Sequence, residues 1–168
     1  MVGQEFLVLQ NLSWIDAIIR VVLSLVFGFI LGYDRNKKNK TTDFRVYMIV
    51  ASTTCLLSIM GQELTTIYDE RNESIELGIL RIVQGVLTGI GFLGAGAIVK
   101  SHDGTAVIGT TTGASIWASG CMGLMIGFGM YGLALMGFGV LIFILIACGA
   151  LKKPLFDEKD HIPKDQKL

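Results

Sequence analysis

Charged residues are absent from residues 106–151, a run without a single Asp, Glu, Lys, Arg or His. A helix that crosses a bilayer needs about 20 apolar residues. The run is therefore long enough for two such helices and a tight turn, which a soluble domain of this length would not normally contain. Over all 168 residues, only 17% are charged and 52% are hydrophobic. The composition favours a membrane protein.

Residue types that commonly perform chemistry are also scarce. The three cysteines, Cys55, Cys121 and Cys148, fall in apolar segments, and their spacing matches neither a metal site nor a disulfide framework. The histidines, His102 and His161, have no cysteine or carboxylate at ligand spacing. No nucleophile with an adjacent base can be assembled. We therefore predict no catalytic residue, no metal site and no cofactor, and a protein that is not an enzyme.

Residues 89–94, GIGFLG, formally match the dinucleotide fingerprint GxGxxG. That fingerprint requires a preceding strand, a following helix and an acidic residue about 20 positions later. Here the string lies inside an apolar segment, and no acid stands at that distance. The sequence supports neither nucleotide binding nor nucleic-acid binding.

The apolar segments predict an all-α membrane protein with five transmembrane helices embedded in the lipid bilayer. Breaks rich in polar residues or glycine separate the segments. The helices are expected at about residues 15–33, 46–62, 77–99, 107–128 and 131–151. They form a single transmembrane domain over residues 1–151, followed by a short charged tail over residues 152–168.

The charges of the loops predict the orientation. The loop at residues 34–45 contains five Lys or Arg residues, whereas the loop at residues 63–76 contains five acids and Arg71 as its one basic residue. The tail carries five lysines. Because basic residues in short loops remain cytoplasmic, we expect the N-terminus outside and the C-terminus in the cytoplasm.

Two arginines fall within predicted spans, each about one turn from the outer end of its helix. An arginine at the bilayer centre costs about 2.5–3.5 kcal/mol to insert. One interpretation is that each side chain extends separately to the outer headgroups. The alternative is a functional polar cluster that binds an anion, gates a path or holds three helices together. Its candidate members are Arg20, Arg81, Gln84, Asp16 and Glu76.

Small residues recur at intervals of four along the third and fourth predicted helices, a spacing typical of close helix contacts in membranes. We therefore predict glycine-rich close packing between these two helices. The hydroxyl groups could instead line a polar path, and the same surfaces would suit a homo-oligomer. The predicted packing residues are Gly85, Gly89, Gly91, Gly94, Gly96, Thr111, Ser115, Ser119, Gly123 and Gly127.

The strings IGFLGAGAIVK, from Ile90 to Lys100, and TTTGASIWASGCMGLMIGFG, from Thr110 to Gly129, resemble the membrane domain of the MgtC/SapB family. By this resemblance, Asp34, Arg35 and Arg45 occupy cytoplasmic family-motif positions. The chain departs from the family pattern in two places: ELGILR lacks the usual Asp-Pro before the arginine, and Lys100 replaces an arginine. We also expect the soluble C-terminal domain that some members carry to be absent.

The resemblance implies a multi-pass protein of the bacterial inner membrane, linked to magnesium limitation and, in some pathogens, to virulence. It implies two competing activities: magnesium transport, or modulation of another membrane protein such as the ATP synthase. Magnesium sites use oxygen ligands, mainly carboxylates, but the acids here stand at helix ends and two arginines would repel a cation. We therefore predict a non-enzymatic modulator of another membrane protein, with a transporter or channel for magnesium or another cation as the alternative.

Overall fold

The computed structural model describes Leu9 and residues 12–37, 43–68, 76–100 and 107–156. Within these ranges, the side chains of residues 12–33, 43–65, 78–100 and 107–147 are described. Five helices account for most of the fold: α1 (Trp14–Lys37), α2 (Phe44–Tyr68), α3 (Glu76–Gly96), α4 (Thr110–Gly127) and α5 (Tyr131–Phe156). The predicted all-α fold with five helices is confirmed.

A short hairpin joins α3 to α4. Strands β1 (Val99–Lys100) and β2 (Val107–Ile108) pair antiparallel, with Val99 opposite Ile108. The sequence analysis extended the third helix to residue 99 and began the fourth at residue 107, so it assigned helix to Val99, Val107 and Ile108. The helical conformation cannot continue through Gly109, whose φ of 90° lies in the left-handed region. A side chain there would also collide with the Ala97 carbonyl.

The other helix bounds differ from the prediction mainly by extension. α2 continues to Tyr68 and α5 to Phe156, so the first part of the predicted tail is helical. Residues 157–168 of that tail lie outside the described part of the chain.

α4 is the central helix of the bundle. It packs against α1, α2, α3 and α5, and twelve of its eighteen residues are buried. These buried residues are mostly small, which allows several neighbours to approach one helix at once. α1 also packs extensively on α2, so that α1, α2 and α4 form the core of the fold.

Three helices of the described chain are long and apolar enough on their own to cross a membrane. These spans are Trp14–Tyr33, Phe44–Thr65 and Gly78–Gly96. The segment Tyr131–Ala147 of α5 is apolar but slightly shorter. α4 contains many Gly, Ser and Thr residues. Because neighbouring helices cover most of α4, it can lie within a membrane bundle without an apolar surface of its own. The chain is an all-α membrane protein.

Neighbouring helices alternate in direction. Gly32 near the end of α1 lies against Phe44 at the start of α2, and Gly94 near the end of α3 lies against Gly113 at the start of α4. At the other end of the bundle, Arg20 of α1 contacts Gly127, the last residue of α4. This arrangement brings the start of α1, the end of α2 and the end of α4 together.

Candidate functional site

The C-terminal end of α4 closes in a Schellman motif. The N–H of Met130 donates to the Met125 carbonyl at 2.8 Å, and the N–H of Gly129 donates to the Ile126 carbonyl at 2.9 Å. Gly129 supplies the left-handed residue that this motif requires, with φ 76°. The motif satisfies the carbonyls of Met125 and Ile126 but leaves that of Gly127 without a backbone partner.

Two side chains from different helices donate to the Gly127 carbonyl. Arg20 Nη1 of α1 approaches the oxygen to 2.6 Å, and Gln62 Nε2 of α2 approaches it to 2.7 Å. A positive charge at a helix C-terminus interacts favourably with the helix dipole. The end of α4 therefore fixes α1 and α2 at this end of the bundle.

The surroundings of Arg20 are shaped for its guanidinium group. A Cβ added at Gly129 would stand 3.1 Å from Arg20 Nη2, so the turn glycine also leaves room for the arginine. The guanidinium carbon lies 5.9 Å from the centroid of the Tyr131 ring, within range of a cation–π contact. Arg20 Nε is buried and has no hydrogen-bond partner among the described residues. We call Arg20, Gln62, Gly127 and Tyr131 the Arg20 cluster.

The Arg20 cluster differs from the polar cluster that the sequence predicts. Arg81 and Gln84 are exposed on α3, and no ion pair or hydrogen bond among the described side chains joins either residue to Arg20. Asp16 is exposed on α1 and, within the same ranges, forms no ion pair with Arg20. The side chain of Glu76 lies outside those described. Gln62, rather than Gln84, is the glutamine that shares an acceptor with Arg20, the Gly127 carbonyl.

A second polar feature runs along the contact between α2 and α4. Ser119 Oγ donates to the Tyr47 carbonyl at 2.7 Å. Thr54 Oγ1 and Ser58 Oγ lie nearest to carbonyls of their own helix, at 2.9 Å in each case, and are also within 3.1 Å of the Gly120 carbonyl oxygen and 3.3 Å of the Leu124 carbonyl oxygen. Each hydroxyl thus reaches the backbone of the opposite helix. We call this contact the polar seam, formed by Thr54, Ser58, Ser119 and Gly123.

The two backbones of the polar seam are in direct contact. A Cβ added at Gly123 would collide with the Ala51 carbonyl and with Thr54 Oγ1. One added at Gly127 would stand 2.6 Å from the Cys55 carbonyl oxygen. Such a contact leaves no room for a file of water or ions between α2 and α4.

The predicted close packing of α3 and α4 is present at one point. A Cβ added at Gly94 would stand 2.9 Å from the Gly113 carbonyl oxygen. Four other glycines of α3 have nothing within 4 Å of an added Cβ: Gly85, Gly89, Gly91 and Gly96. Among the described residues, none packs closely on these four glycines, so their role in helix packing stays a prediction.

The small residues of α4 that were predicted to pack on α3 contact a different helix. Ser119, Gly123 and Gly127 face α2 rather than α3. Ser115 is buried and donates to the Thr111 carbonyl of its own helix at 2.7 Å, whereas Thr111 itself is exposed. The spacing correctly identified a packing surface but not the helix that covers it.

The family-motif positions at the opposite end are described only in part. Arg45 is exposed on α2 and forms an ion pair with Asp43, Nε to Oδ2 at 3.5 Å. Asp43 Oδ1 also accepts from the Arg45 N–H at 3.1 Å, a contact typical of a helix N-cap. The backbones of Asp34 and Arg35 belong to α1, and their side chains lie outside those described.

The sequence analysis did not single out Gln62, Thr54 or Ser58. All three lie on one face of α2 at spacings of four, which is the helical signal that connects them. Within the described residues, no group of three or more His, Cys, Asp or Glu side chains lies close enough to hold a metal ion.

Comparison with known proteins places these helices in a family. The MgtC family profile matches residues 21–153, which include most of α1 and all of α2, α3 and α4. The chain belongs to the MgtC family. The resemblance seen in the sequence is thereby confirmed.

Individual relatives agree with this assignment. A protein of Haemophilus influenzae strain Rd is 38% identical over 111 residues, which cover 66% of the chain and 46% of that protein. SapB of Bacillus subtilis is 32% identical over 140 residues, 81% of the chain and 58% of SapB. The Escherichia coli K12 protein named "Putative magnesium transporter YhiD" is 27% identical over 151 residues, 88% of the chain and 67% of YhiD.

The chain thus spans about half the length of the first two of these relatives. No solved structure matches the chain.

Proposed function

We propose that the chain is a non-enzymatic modulator of another membrane protein and that it acts in bacterial magnesium homeostasis from the inner membrane. Family membership and the name of YhiD support the connection with magnesium. The mode of action is inferred from the packing of the helices.

The polar seam is the observation that carries the proposal. Ser119 is one of the hydroxyl residues that the sequence offered for an ion path, but its Oγ donates to the Tyr47 carbonyl across a contact in which the backbones of α2 and α4 touch. In membranes, such hydrogen bonds hold helices together. The polar residues of the core therefore hold the helices of the bundle together. The outer surface of the bundle remains available for contact with a partner.

Co-purification is the direct test of a modulator. A tagged chain extracted from native membranes of magnesium-limited cells is expected to carry a membrane protein in a fixed ratio. Deletion of the chain should then change that protein's activity without changing its amount. The ATP synthase is the first partner to test, because the family resemblance suggests it.

A magnesium transporter is the second candidate, favoured by the name of YhiD. Magnesium flux into proteoliposomes that contain only the purified, folded chain decides between the two. We expect no flux above that of empty vesicles. Flux that Arg81→Ala abolishes would identify a transporter whose path passes Arg81.

A further inference from the structure

α3 is the least enclosed of the three apolar spans. Only 11% of its span is buried, against 33% in α1 and 44% in α2. Its uncovered side carries polar and small residues together with one large aromatic. We call this side the α3 face; its residues, all exposed, are Arg81, Gln84, Gly85, Thr88, Gly89 and Phe92.

The α3 face has the form of a helix-docking surface. Gly85 and Gly89 stand four residues apart on one side of the helix, and nothing lies within 4 Å of a Cβ added at either. Small residues at this spacing allow a second helix backbone to come close in a bilayer. Phe92, which is 81% exposed one turn further on, provides a large apolar side chain beside this groove.

Arg81 indicates the charge that a helix docked on the α3 face should carry. It lies inside the apolar span Gly78–Gly96, and no ion pair or hydrogen bond joins it to a side chain within the described ranges. About one turn inside the span, its guanidinium can reach the headgroups, but a carboxylate at the same level on a neighbouring helix would pair with it. The chemistry of this face is therefore complementary to a helix with an acidic residue near the same end.

A second copy of the chain fits this face poorly. In a two-fold dimer each subunit presents the same patch, so the two Arg81 side chains would approach each other. The span has no acid between Gly78 and Gly96 that could separate these charges. Charge therefore favours a different protein.

We propose that the α3 face docks a transmembrane helix of another protein, one that carries small residues at four-residue spacing and an Asp or Glu level with Arg81. This inference rests on the proposed function, because it names the surface through which a modulator would act.

Site-specific photo-crosslinking in intact cells tests the α3 face. A photoreactive residue is placed at Thr88, and a control is placed at Val140, which is 54% exposed on α5. We expect Thr88, but not Val140, to crosslink to a membrane protein with an acidic helix of this kind. Arg81→Glu should reduce the crosslink at least tenfold, and changing the partner's acid to Lys in that background should restore it.

A matched pair of glycine variants tests the close approach. Gly85→Leu should abolish the Thr88 crosslink, and Gly139→Leu on α5 should leave it intact. Neither glycine has an atom within 4 Å of an added Cβ, so both variants are expected to fold. Equal crosslinking in both variants would overturn the docking of a helix at Gly85.

Other outcomes also overturn the proposal: a crosslink between two copies of the chain, a partner helix without an acid, equal capture from Val140, or no crosslink from a folded, inserted chain. If a partner co-purifies but crosslinks elsewhere, the α3 face is wrong and the modulator remains. If the purified chain alone carries magnesium flux, the modulator itself is wrong.

Discussion

Arg20 and Arg81 stand at similar positions in the sequence of their helices but have different surroundings in the structure. Arg20 lies between α1, α2 and α4 and donates to a helix-terminal carbonyl. Arg81 is exposed on α3 without a described partner. The first residue therefore contributes to folding, while the second is available for contact outside the bundle.

Alanine substitution should separate the two arginines. Arg20→Ala removes a charge-assisted hydrogen bond and the compensation of the α4 dipole, and we expect it to lower the free energy of unfolding by about 1.5–3 kcal/mol. Arg81→Ala should change it by less than about 0.5 kcal/mol. Unfolding of the purified variants in mixed detergent micelles measures both values. Equal losses of unfolding free energy in the two variants would contradict the conclusion that Arg20, and not Arg81, contributes to folding.

Gly123 is the residue at which the contact between α2 and α4 is closest. Gly123→Ala should separate the two backbones, because the new methyl group collides with the Ala51 carbonyl. We expect a loss of about 2–4 kcal/mol in the free energy of unfolding, similar to other severe packing changes. The same unfolding measurement applies.

Gly139→Ala on α5 is the matched control. It adds the same methyl group where nothing lies within 4 Å, and alanine favours the helix by up to about 1 kcal/mol. The control should therefore be neutral or stabilising. A Gly123→Ala variant as stable as this control would show that α2 and α4 are not in backbone contact.

Among the elements, α4 combines many small residues with the most enclosed position, since it packs against all four other helices. Its small residues were visible in the sequence, and their spacing indicated a packing surface. The sequence could not show which helix covers that surface, because Gly, Ala and Ser occur on every side of α4. Likewise, Gly94 contacts α4 whereas Gly85, Gly89, Gly91 and Gly96 do not, although all five have the same residue type and lie on the same element.

The number and approximate positions of the helices were predictable because apolar length and polar breaks determine them. The Arg20 cluster was not, because it depends on the ends of three helices meeting. Gln62 lies 42 residues after Arg20 in the sequence, and its pairing with Gly127 follows from tertiary contacts alone. The hairpin was hidden for a similar reason: residues 97–109 continue the apolar pattern up to Lys100, and the left-handed Gly109 is visible only in the backbone.

The polar seam makes a prediction at the level of the α2–α4 pair. Ser119→Ala removes the hydrogen bond to the Tyr47 carbonyl and should cost about 0.6 kcal/mol, and at most about 1.7 kcal/mol, of unfolding free energy. Ser52→Ala is the control, because Ser52 Oγ donates only to carbonyls of its own helix, Met48 and Ile49. Unfolding in micelles should show a larger loss for Ser119→Ala. A larger loss for Ser52→Ala would contradict the role of the seam.

For the molecule as a whole, five helices of alternating direction place the start of α1 and the end of α5 at opposite ends of the bundle. The Arg20 cluster and Arg81 then belong to the end where α1 begins, and the β1–β2 hairpin belongs to the other. The side of the membrane that each end faces determines where the proposed partner helix would need its acidic residue.

The distribution of basic residues predicts that the end with Arg20 and Arg81 faces outward. A fluorescent protein fused after Leu168 should therefore fold and fluoresce in the cytoplasm, whereas alkaline phosphatase fused there should be inactive. Phosphatase inserted within residues 69–75 should be active, because α2 ends at the same end of the bundle as Arg20. The reverse pattern would invert the orientation and move the acid proposed to pair with Arg81 to the cytoplasmic side of the partner helix. α3, α4 and α5 separate the two fusion sites, so three crossings should place the sites on opposite sides of the membrane. Equal phosphatase activity at both sites would contradict these three crossings.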